Sequence, residues 1–258
     1  MGKIVTLTSG IRGGVGKSLL CSTLGFSLAP DRRILIVDVG GGVTQYFLQN
    51  NVEPPYARDL AMAGEEAILA LTLSVLRREG WIIKRRVIEE AVELYLSPEV
   101  GELSNQEIDG IITAITRFKK YFDFIFLDMP AATNPHYYKL LNITDVEVIV
   151  LVPERSFWEM ILKTVEIGAP QVIIVMNKYN NQSRSHRESW TIVTKFFNEK
   201  YPGCKLVKVP YDPVLKLVGT YGIEAILGKT KLKEETARAL LDIIYHLEAG
   251  NNYRECLY

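Results

Sequence analysis

Apolar runs alternate with segments of helical period along the chain, and this alternation is typical of a parallel sheet covered by helices on both faces. Because the strands of such a sheet are buried on both sides, each one is a short and nearly continuous apolar stretch. The pattern predicts strands at 3–9, 33–39, 92–97, 122–128, 146–152, 171–177 and 204–210.

Apolar residues at helical spacing lie between these strands. They predict helices at about 17–29, 57–79, 104–121, 155–168, 185–200 and 233–248. The third helix opens with "SNQE", in which Ser104 and Glu107 have the spacing of a capping box. In the last helix we expect Leu240, Leu241, Ile244 and Leu247 to pack against the sheet. The order of elements predicts one doubly wound α/β domain over residues 1–258, with a mostly parallel sheet.

Composition and charge narrow the class of protein. Hydrophobic residues make up 48% of the 258 and charged residues 23%, which is too apolar for a disordered chain. Thirty basic residues balance thirty acidic ones, so the formal net charge is +0 and no overall field attracts nucleic acid or an anionic membrane. Contact with DNA would need a local basic patch, for which the candidates are 76–86 and 228–233.

The cysteine pattern and the hydropathy of the chain indicate in which cellular compartment the protein is expected. Cys21, Cys204 and Cys256 are scattered, which argues against a zinc ribbon or a disulfide framework and favours the reducing cytoplasm. No run reaches the ~20 apolar residues of a membrane span, so we expect a cytoplasmic protein that is not inserted in a membrane.

A glycine-rich turn follows the first strand and leads into the first helix, in the stretch "SGIRGGVGKSLL" at 9–20. Gly13, Gly14 and Gly16 allow the backbone to approach a ligand closely, so that consecutive N–H groups can point at phosphate oxygens. The positive end of the helix dipole supports the same ligand. The stretch therefore predicts a phosphate-binding loop.

Two side chains at the start of the helix complete the predicted loop. Lys17 is expected to reach the β- and γ-phosphates, and the Ser18 hydroxyl is expected to bind Mg²⁺. Two strands also end in a carboxylate, Asp38 and Asp128, at the edge of the sheet where the loop lies. Asp128 is predicted to hold Mg²⁺, and Asp38 is a second candidate for the metal. Ile11 stands where the general pattern G-x-x-x-x-G-K-[ST] has its first glycine.

Together these motifs resemble the ParA/MinD family of P-loop ATPases, whose deviant Walker A loop reads roughly K-G-G-x-G-K-[ST]. The first glycine of the general pattern is often absent in that family, which accounts for Ile11. The resemblance covers most of the chain and is carried by five ordered segments: "RGGVGKS" at 12–18, "ILIVDVG" at 34–40, "FIFLDMPA" at 124–131, "VIIVMNK" at 172–178 and "VPYDP" at 209–213.

The resemblance implies a cofactor, ATP with Mg²⁺, and a set of residues that hold it. The loop would contribute Gly13, Gly14, Val15, Gly16, Lys17, Ser18 and Leu19. Asn177, Pro210, Tyr211 and Asp212 would line the adenine pocket, and Lys178 would also bind the cofactor. Guanine is disfavoured, because "NKYN" has Asn180 where the guanine-reading pattern N-K-x-D has aspartate.

This chain departs from the family at two positions. Arg12 replaces the signature lysine that reaches across a nucleotide-sandwich dimer in relatives, which keeps the positive charge but changes its geometry. Gly40 replaces the second aspartate of the usual D-x-D segment, which is associated with positioning the attacking water. Asp38 could orient the water instead, or hydrolysis could be slow. The resemblance thus implies that Lys17, Arg12 and Asp38 are the residues for any catalysis.

The implied role is an ATP-dependent homodimer that serves in DNA segregation or intracellular positioning, with weak hydrolysis. Non-specific DNA and a protein of the centromere-binding type are its expected partners. Three alternatives stay open at this point: a non-hydrolysing dimerisation switch, a MinD-like protein, and a relative that acts in metallocentre assembly. The chain's end, "NYRECLY", is too short and too weakly basic for a membrane-binding helix, which argues against the MinD-like alternative.

Overall fold

In the structure, a computed structural model, the seven described strands form one parallel sheet. The structure describes residues 2–10, 12–40, 42–43, 46, 92–95, 103–131, 135–156, 158–159 and 169–249. The strands are β1 (Lys3–Thr8), β2 (Ile34–Asp38), β3 (Val92–Tyr95), β4 (Phe124–Asp128), β5 (Val146–Leu151), β6 (Gln171–Tyr179) and β7 (Lys205–Pro210). All seven predicted strands are confirmed. The predicted helix at 57–79 and most of the one at 155–168 lie outside the described residues.

Six α-helices accompany the sheet in the described part of the chain. They are α1 (Lys17–Leu28), α2 (Asn105–Phe118), α3 (Arg184–Lys200), α4 (Pro213–Tyr221), α5 (Ile223–Leu227) and α6 (Glu234–Ala249), and a 3-10 helix spans Pro135–Ile143. The predicted capping box is confirmed at the start of α2, where Glu107 N–H donates to Ser104 Oγ and Ser104 N–H donates to the Glu107 carboxylate. No helix within these ranges has the length and apolar character needed to cross a membrane.

The strand order is β3-β2-β4-β1-β5-β6-β7, and every pairing between the described strands is parallel. The first strand therefore lies at the centre, between β4 and β5. On one side of β1 the sheet continues through β4, β2 and β3, and on the other side through β5, β6 and β7. In open α/β sheets, ligands bind beyond the carboxyl ends of the strands at the point where the strand order reverses, which here is at β1. The register places Asp38 beside Asp128 at that edge.

Successive residues of the central strands face opposite sides of the sheet, and each side has its own core. Val5, Ile36 and Phe126 belong to the core beneath α1 and α6. Ile4, Leu35 and Ile125 belong to the core beneath α2 on the other side. A third cluster, between β5, β6 and α3, extends that second side. The described helices cover both faces of the sheet, and the glycine-rich loop, Asp38 and Asp128 lie at the edge formed by the carboxyl ends of the strands.

The prediction that Leu241 of the last helix packs against the sheet is wrong. Leu240 and Leu247 are buried and Ile244 is partly buried against the same core, but 63% of the Leu241 surface is exposed. Residue 241 lies about 100° around the helix from residue 240, which turns it away from β7. Ala239 and Ile243 take the buried positions instead.

Candidate functional site

The glycine-rich loop joins β1 to α1 and has the backbone that the sequence predicts. Gly14 and Gly16 have φ values of 75° and 88°, a region that residues with a Cβ rarely adopt. Gly16 is the N-cap of α1 and has no side chain to cap it, so the first-turn N–H groups point outward without a side-chain acceptor. Such an arrangement favours an anion.

Gly16 is required for space as well as for its φ value. A Cβ built on Gly16 would overlap Asn177 Nδ2. This amide nitrogen donates to the Val15 carbonyl oxygen at 2.8 Å, and Lys178 Nζ donates to the Gly14 carbonyl oxygen at 2.9 Å. The end of β6 therefore holds the loop directly, through two of the residues that sequence reasoning assigned to the nucleotide.

Lys17 and Asp128 form a buried ion pair at the start of α1. Lys17 Nζ lies 3.1 Å from Asp128 Oδ1, and the two side chains are 9% and 0% exposed. Burial raises the pKa of the Asp128 carboxyl, the positive charge of Lys17 opposes that rise, and the negative charge of Asp38 adds to it. The pair keeps a cation at the head of the loop, close to where phosphates would lie.

A divalent cation fits the polar groups beside this pair. Asp128 Oδ2 is buried and has no hydrogen-bond partner among the described residues, and Ser18 is close enough for its hydroxyl to favour the ionised carboxyl. Hydroxyl and carboxylate oxygens are the ligands that Mg²⁺ prefers. The described residues include no cluster of three or more His, Cys, Asp or Glu that could hold a metal alone, so phosphate oxygens and water would have to complete this site.

Asp38 lies next to this group but is occupied by the backbone that follows it. Its two carboxylate oxygens accept from the N–H groups of Gly42 at 3.0 Å and Val43 at 2.8 Å. Gly42 in turn lies against Ser18, because a Cβ built on Gly42 would overlap Ser18 Oγ and lie 3.4 Å from Asp128 Oδ2.

Gly40 is packed tightly in its own right. A Cβ at this position would lie 3.0 Å from Pro130 N and Cα and 3.1 Å from the Met129 carbonyl carbon, and Gly40 N–H donates to the Asp128 carbonyl oxygen at 2.9 Å. The backbone of residue 40 thus lies directly on the end of β4. The sequence showed the missing carboxylate here but not this close contact.

A cavity of about 290 Å³ opens over the loop. Its lining includes Arg12, Lys17, Ser18 and Gly40, which sequence reasoning selected, and Tyr46, which it did not. The other lining residues are Ser9, Gly13, Gly14, Val15, Gly16, Pro130 and Ala131. The structure therefore brings the phosphate candidates and Ser18 together around one space, and Asp128 contacts that lining through Lys17.

The residues predicted to line the adenine pocket from β7 onward have other contacts. Asp212 is buried, and its carboxylate accepts from the N–H groups of Val214 and Lys233, each at 2.9 Å, so that it caps α4. Tyr211 is 49% exposed, and Pro210 pairs with Tyr179 at the end of β7. Leu19 packs beside Phe26 in a small cluster beneath α4 and α5. A role of Pro210, Tyr211 and Asp212 in binding the base stays a prediction, and so does the role of Leu19 in the loop.

Comparison with solved structures identifies the fold. A ParA family ATPase from Chlorobium tepidum superposes with a TM-score of 0.68 at 19% identity, covering 95% of this chain and 99% of that one. The chain has the fold of the ParA and MinD ATPases. MinD from Pyrococcus horikoshii, complexed with Mg-ADP, gives 0.64 at 19% identity over 98% of both chains. Cyanothece McdA, in an ATP complex of a variant, gives 0.67 at 14% identity over 96% of both.

The predicted resemblance to the ParA/MinD ATPases is thus confirmed for the fold. Identities below one fifth do not transfer activity, and neither a protein-family model nor a curated protein sequence matches the chain. What this site binds has to be argued from its own residues.

The raised pKa of Asp128 leads to a pH prediction for the ligand-free protein. The folded state holds this proton more tightly than the unfolded state, so the favourable contribution is complete below the ordinary carboxyl pKa of 3.8 and is lost as the pH rises through the raised value. Compared with Asp128→Asn, the wild type should lose stability on raising the pH through this range, by at most about 1.4 kcal/mol per pH unit. Urea unfolding of both proteins at several pH values measures this difference, and parallel profiles would contradict it.

Proposed function

We propose that this protein binds ATP with Mg²⁺ and, in that state, forms a homodimer that acts in DNA partition or intracellular positioning. The observation that carries the proposal is the buried Lys17–Asp128 pair beneath an uncapped helix N-terminus, next to an unpartnered carboxylate oxygen and an open cavity. Anion and cation sites thus lie side by side, as a nucleotide triphosphate with its metal requires.

Each residue of the loop has a separate task in this proposal. Lys17 now neutralises Asp128, and it would neutralise phosphate oxygens when the nucleotide is bound. Ser18 and Asp128 would hold Mg²⁺, which supplies charge neutralisation to the phosphates. The N–H groups of the loop would orient the triphosphate. Solved structures of the same fold support this choice, since MinD is complexed with Mg-ADP and McdA with ATP.

Arg12 is proposed to act across the dimer. It lines the cavity with the loop, and its backbone is held by Ser9, whose hydroxyl donates to the Arg12 carbonyl oxygen at 2.8 Å. A fixed positive charge in the lining of the cavity is suited to phosphate oxygens presented by a second copy.

Dimerisation should therefore depend on both ATP and Arg12. With a non-hydrolysable ATP analogue and Mg²⁺, light scattering should show the wild type at twice the monomer mass, while Arg12→Ala stays largely monomeric. Arg184→Ala is the matched control, because that side chain is 88% exposed on α3. A wild-type mass that is the same with and without the analogue would refute the dimer.

DNA contact is proposed for the basic segment at 228–233. Lys229, Lys231 and Lys233 are exposed there, between α5 and α6, and can approach a phosphate backbone. The other basic run, 76–86, lies outside the described residues. Binding to random-sequence DNA that weakens steeply with salt supports the partition role, and its absence would favour the positioning role.

Slow hydrolysis is proposed because Gly40 offers no carboxylate for the attacking water. Gly40→Asp should raise the rate of phosphate release, whereas Gly40→Ala should not. Both variants place a Cβ against the Pro130 backbone and displace it equally. The difference between their rates therefore measures the effect of the carboxylate alone. Equal rates in the two variants would contradict the proposal that Gly40 limits turnover, and no release by the wild type would favour the non-hydrolysing switch.

A further inference from the structure

Tyr46 lines the cavity, although no motif in the sequence points to it. It shares that space with the loop residues from Arg12 to Ser18 and with Gly40. It is half-buried, and burial together with the Asp128 charge raises the pKa of its hydroxyl. Tyr46 therefore lies on the phosphate and metal side of the cavity.

The other side of the Tyr46 ring is anchored outside the cavity. The ring packs against the small apolar cluster of Phe26, Val218 and Ile223, between α1, α4 and α5. Its Cε1 is 3.6 Å from the position of a Cβ on Gly219 of α4, which is ordinary van der Waals distance. One aromatic ring thus lies in the cavity wall on one side and against α4 on the other.

The backbone of Tyr46 connects this anchor to the metal candidates. Tyr46 N–H donates to the Val43 carbonyl oxygen at 2.9 Å, and the N–H groups of Val43 and Gly42 both donate to Asp38. Gly42 lies directly on Ser18. Val43 is itself fully buried in the main core, which fixes one side of this short stretch.

We propose that Tyr46 is a positioning residue, whose ring holds the backbone of Gly42 and Val43 against Ser18 and Asp128 by anchoring it to α4. This deepens the proposed function, on which its consequence for nucleotide rests. Glycine at position 42 gives this backbone many accessible conformations. Because Tyr46 already restricts them, less conformational entropy is lost when the metal side of the site becomes ordered. If the anchored arrangement falls to one tenth of the population, the apparent Kd for Mg·ATP rises about tenfold.

Hydrogen exchange of the Gly42 and Val43 amides tests the anchor without any nucleotide. In Tyr46→Ala both amides should exchange at least about tenfold faster than in the wild type, while Tyr46→Phe, which keeps the ring, should match the wild type. Val193→Ala is the control, because it removes a fully buried side chain from the core beneath α3, which does not include Tyr46 or its cluster. It should lower the melting temperature and leave these two amides protected.

Titration calorimetry with Mg·ATP measures the effect of the same variants on nucleotide affinity. Tyr46→Ala should raise Kd about tenfold and Tyr46→Phe less than about twofold. Wild-type exchange rates in Tyr46→Ala would overturn the anchor, and a Tyr46→Phe variant that behaves like Tyr46→Ala would assign the effect to the hydroxyl and overturn the role of the ring. A wild type that does not bind ATP would refute the proposed function, and the exchange rates would still decide the anchor.

Discussion

Lys17→Ala should abolish ATP binding. Lys17 is the cation at the head of the loop, and its charge-assisted hydrogen bonds to phosphate oxygens are each worth about 1.5–3 kcal/mol. Losing two of them raises Kd more than about 100-fold, which brings the heat of binding below detection. Titration calorimetry with ATP and Mg²⁺ measures this loss, and an unchanged affinity would refute the phosphate loop.

Loss of the buried pair must be separated from loss of binding. Lys17→Ala leaves Asp128 without its cation, and removing one partner of a buried pair destabilises the fold. Lys17→Gln keeps a donor for Asp128 and should fold, yet it should also fail to bind ATP. Lys195→Ala, on the exposed face of α3, is the matched control that should keep both stability and affinity.

Gly16→Ala should have the second largest effect, because it acts on both the fold and the site. The new Cβ meets φ = 88°, which costs about 1–2 kcal/mol, and it overlaps the Asn177 amide that holds the Val15 carbonyl oxygen. Overpacking adds about 1–3 kcal/mol, so we expect a total loss near 3 kcal/mol and an ATP affinity too weak to detect.

Gly14→Ala separates the two causes. Gly14 has a similar φ of 75°, but nothing lies within 4 Å of a Cβ built there. This variant should lose only the strain, about 1–2 kcal/mol, when unfolding in urea is measured. If Gly16→Ala and Gly14→Ala have the same free energy of unfolding, the contact between the loop and Asn177 does not contribute to stability.

The sequence was sufficient to predict the strands and the glycine-rich turn between β1 and α1, because both have strong local signals. Buried parallel strands are continuous apolar runs, and the loop needs glycines at fixed offsets from Lys17. The strand order has no such signal, since it depends on how distant runs pair. The position of Asp128 beside Lys17 follows from that order.

Two short helices were missed although one of them has a clear signal. Asp212 and Pro213 are a capping residue and a first-turn proline, which together indicate the start of α4. The resemblance drew attention to Asp212 as a base-pocket residue, and its capping role was overlooked. Tyr46 and the contacts of Gly40 and Gly42 had no signal, because they depend on tertiary packing alone.

The central place of β1 has a consequence for biosynthesis. Of the seven strands, the ribosome makes β1 before the others, but its two neighbours are β4 and β5, which follow it by more than 100 residues. Pairing between such distant segments must close long loops before it gains contacts, and it is slow. A nascent chain that ends before β5 carries the phosphate loop without the sheet that shapes it. The apolar strands made up to that point have no pairing partners. We therefore expect aggregation and chaperone binding to be most frequent at this stage of synthesis.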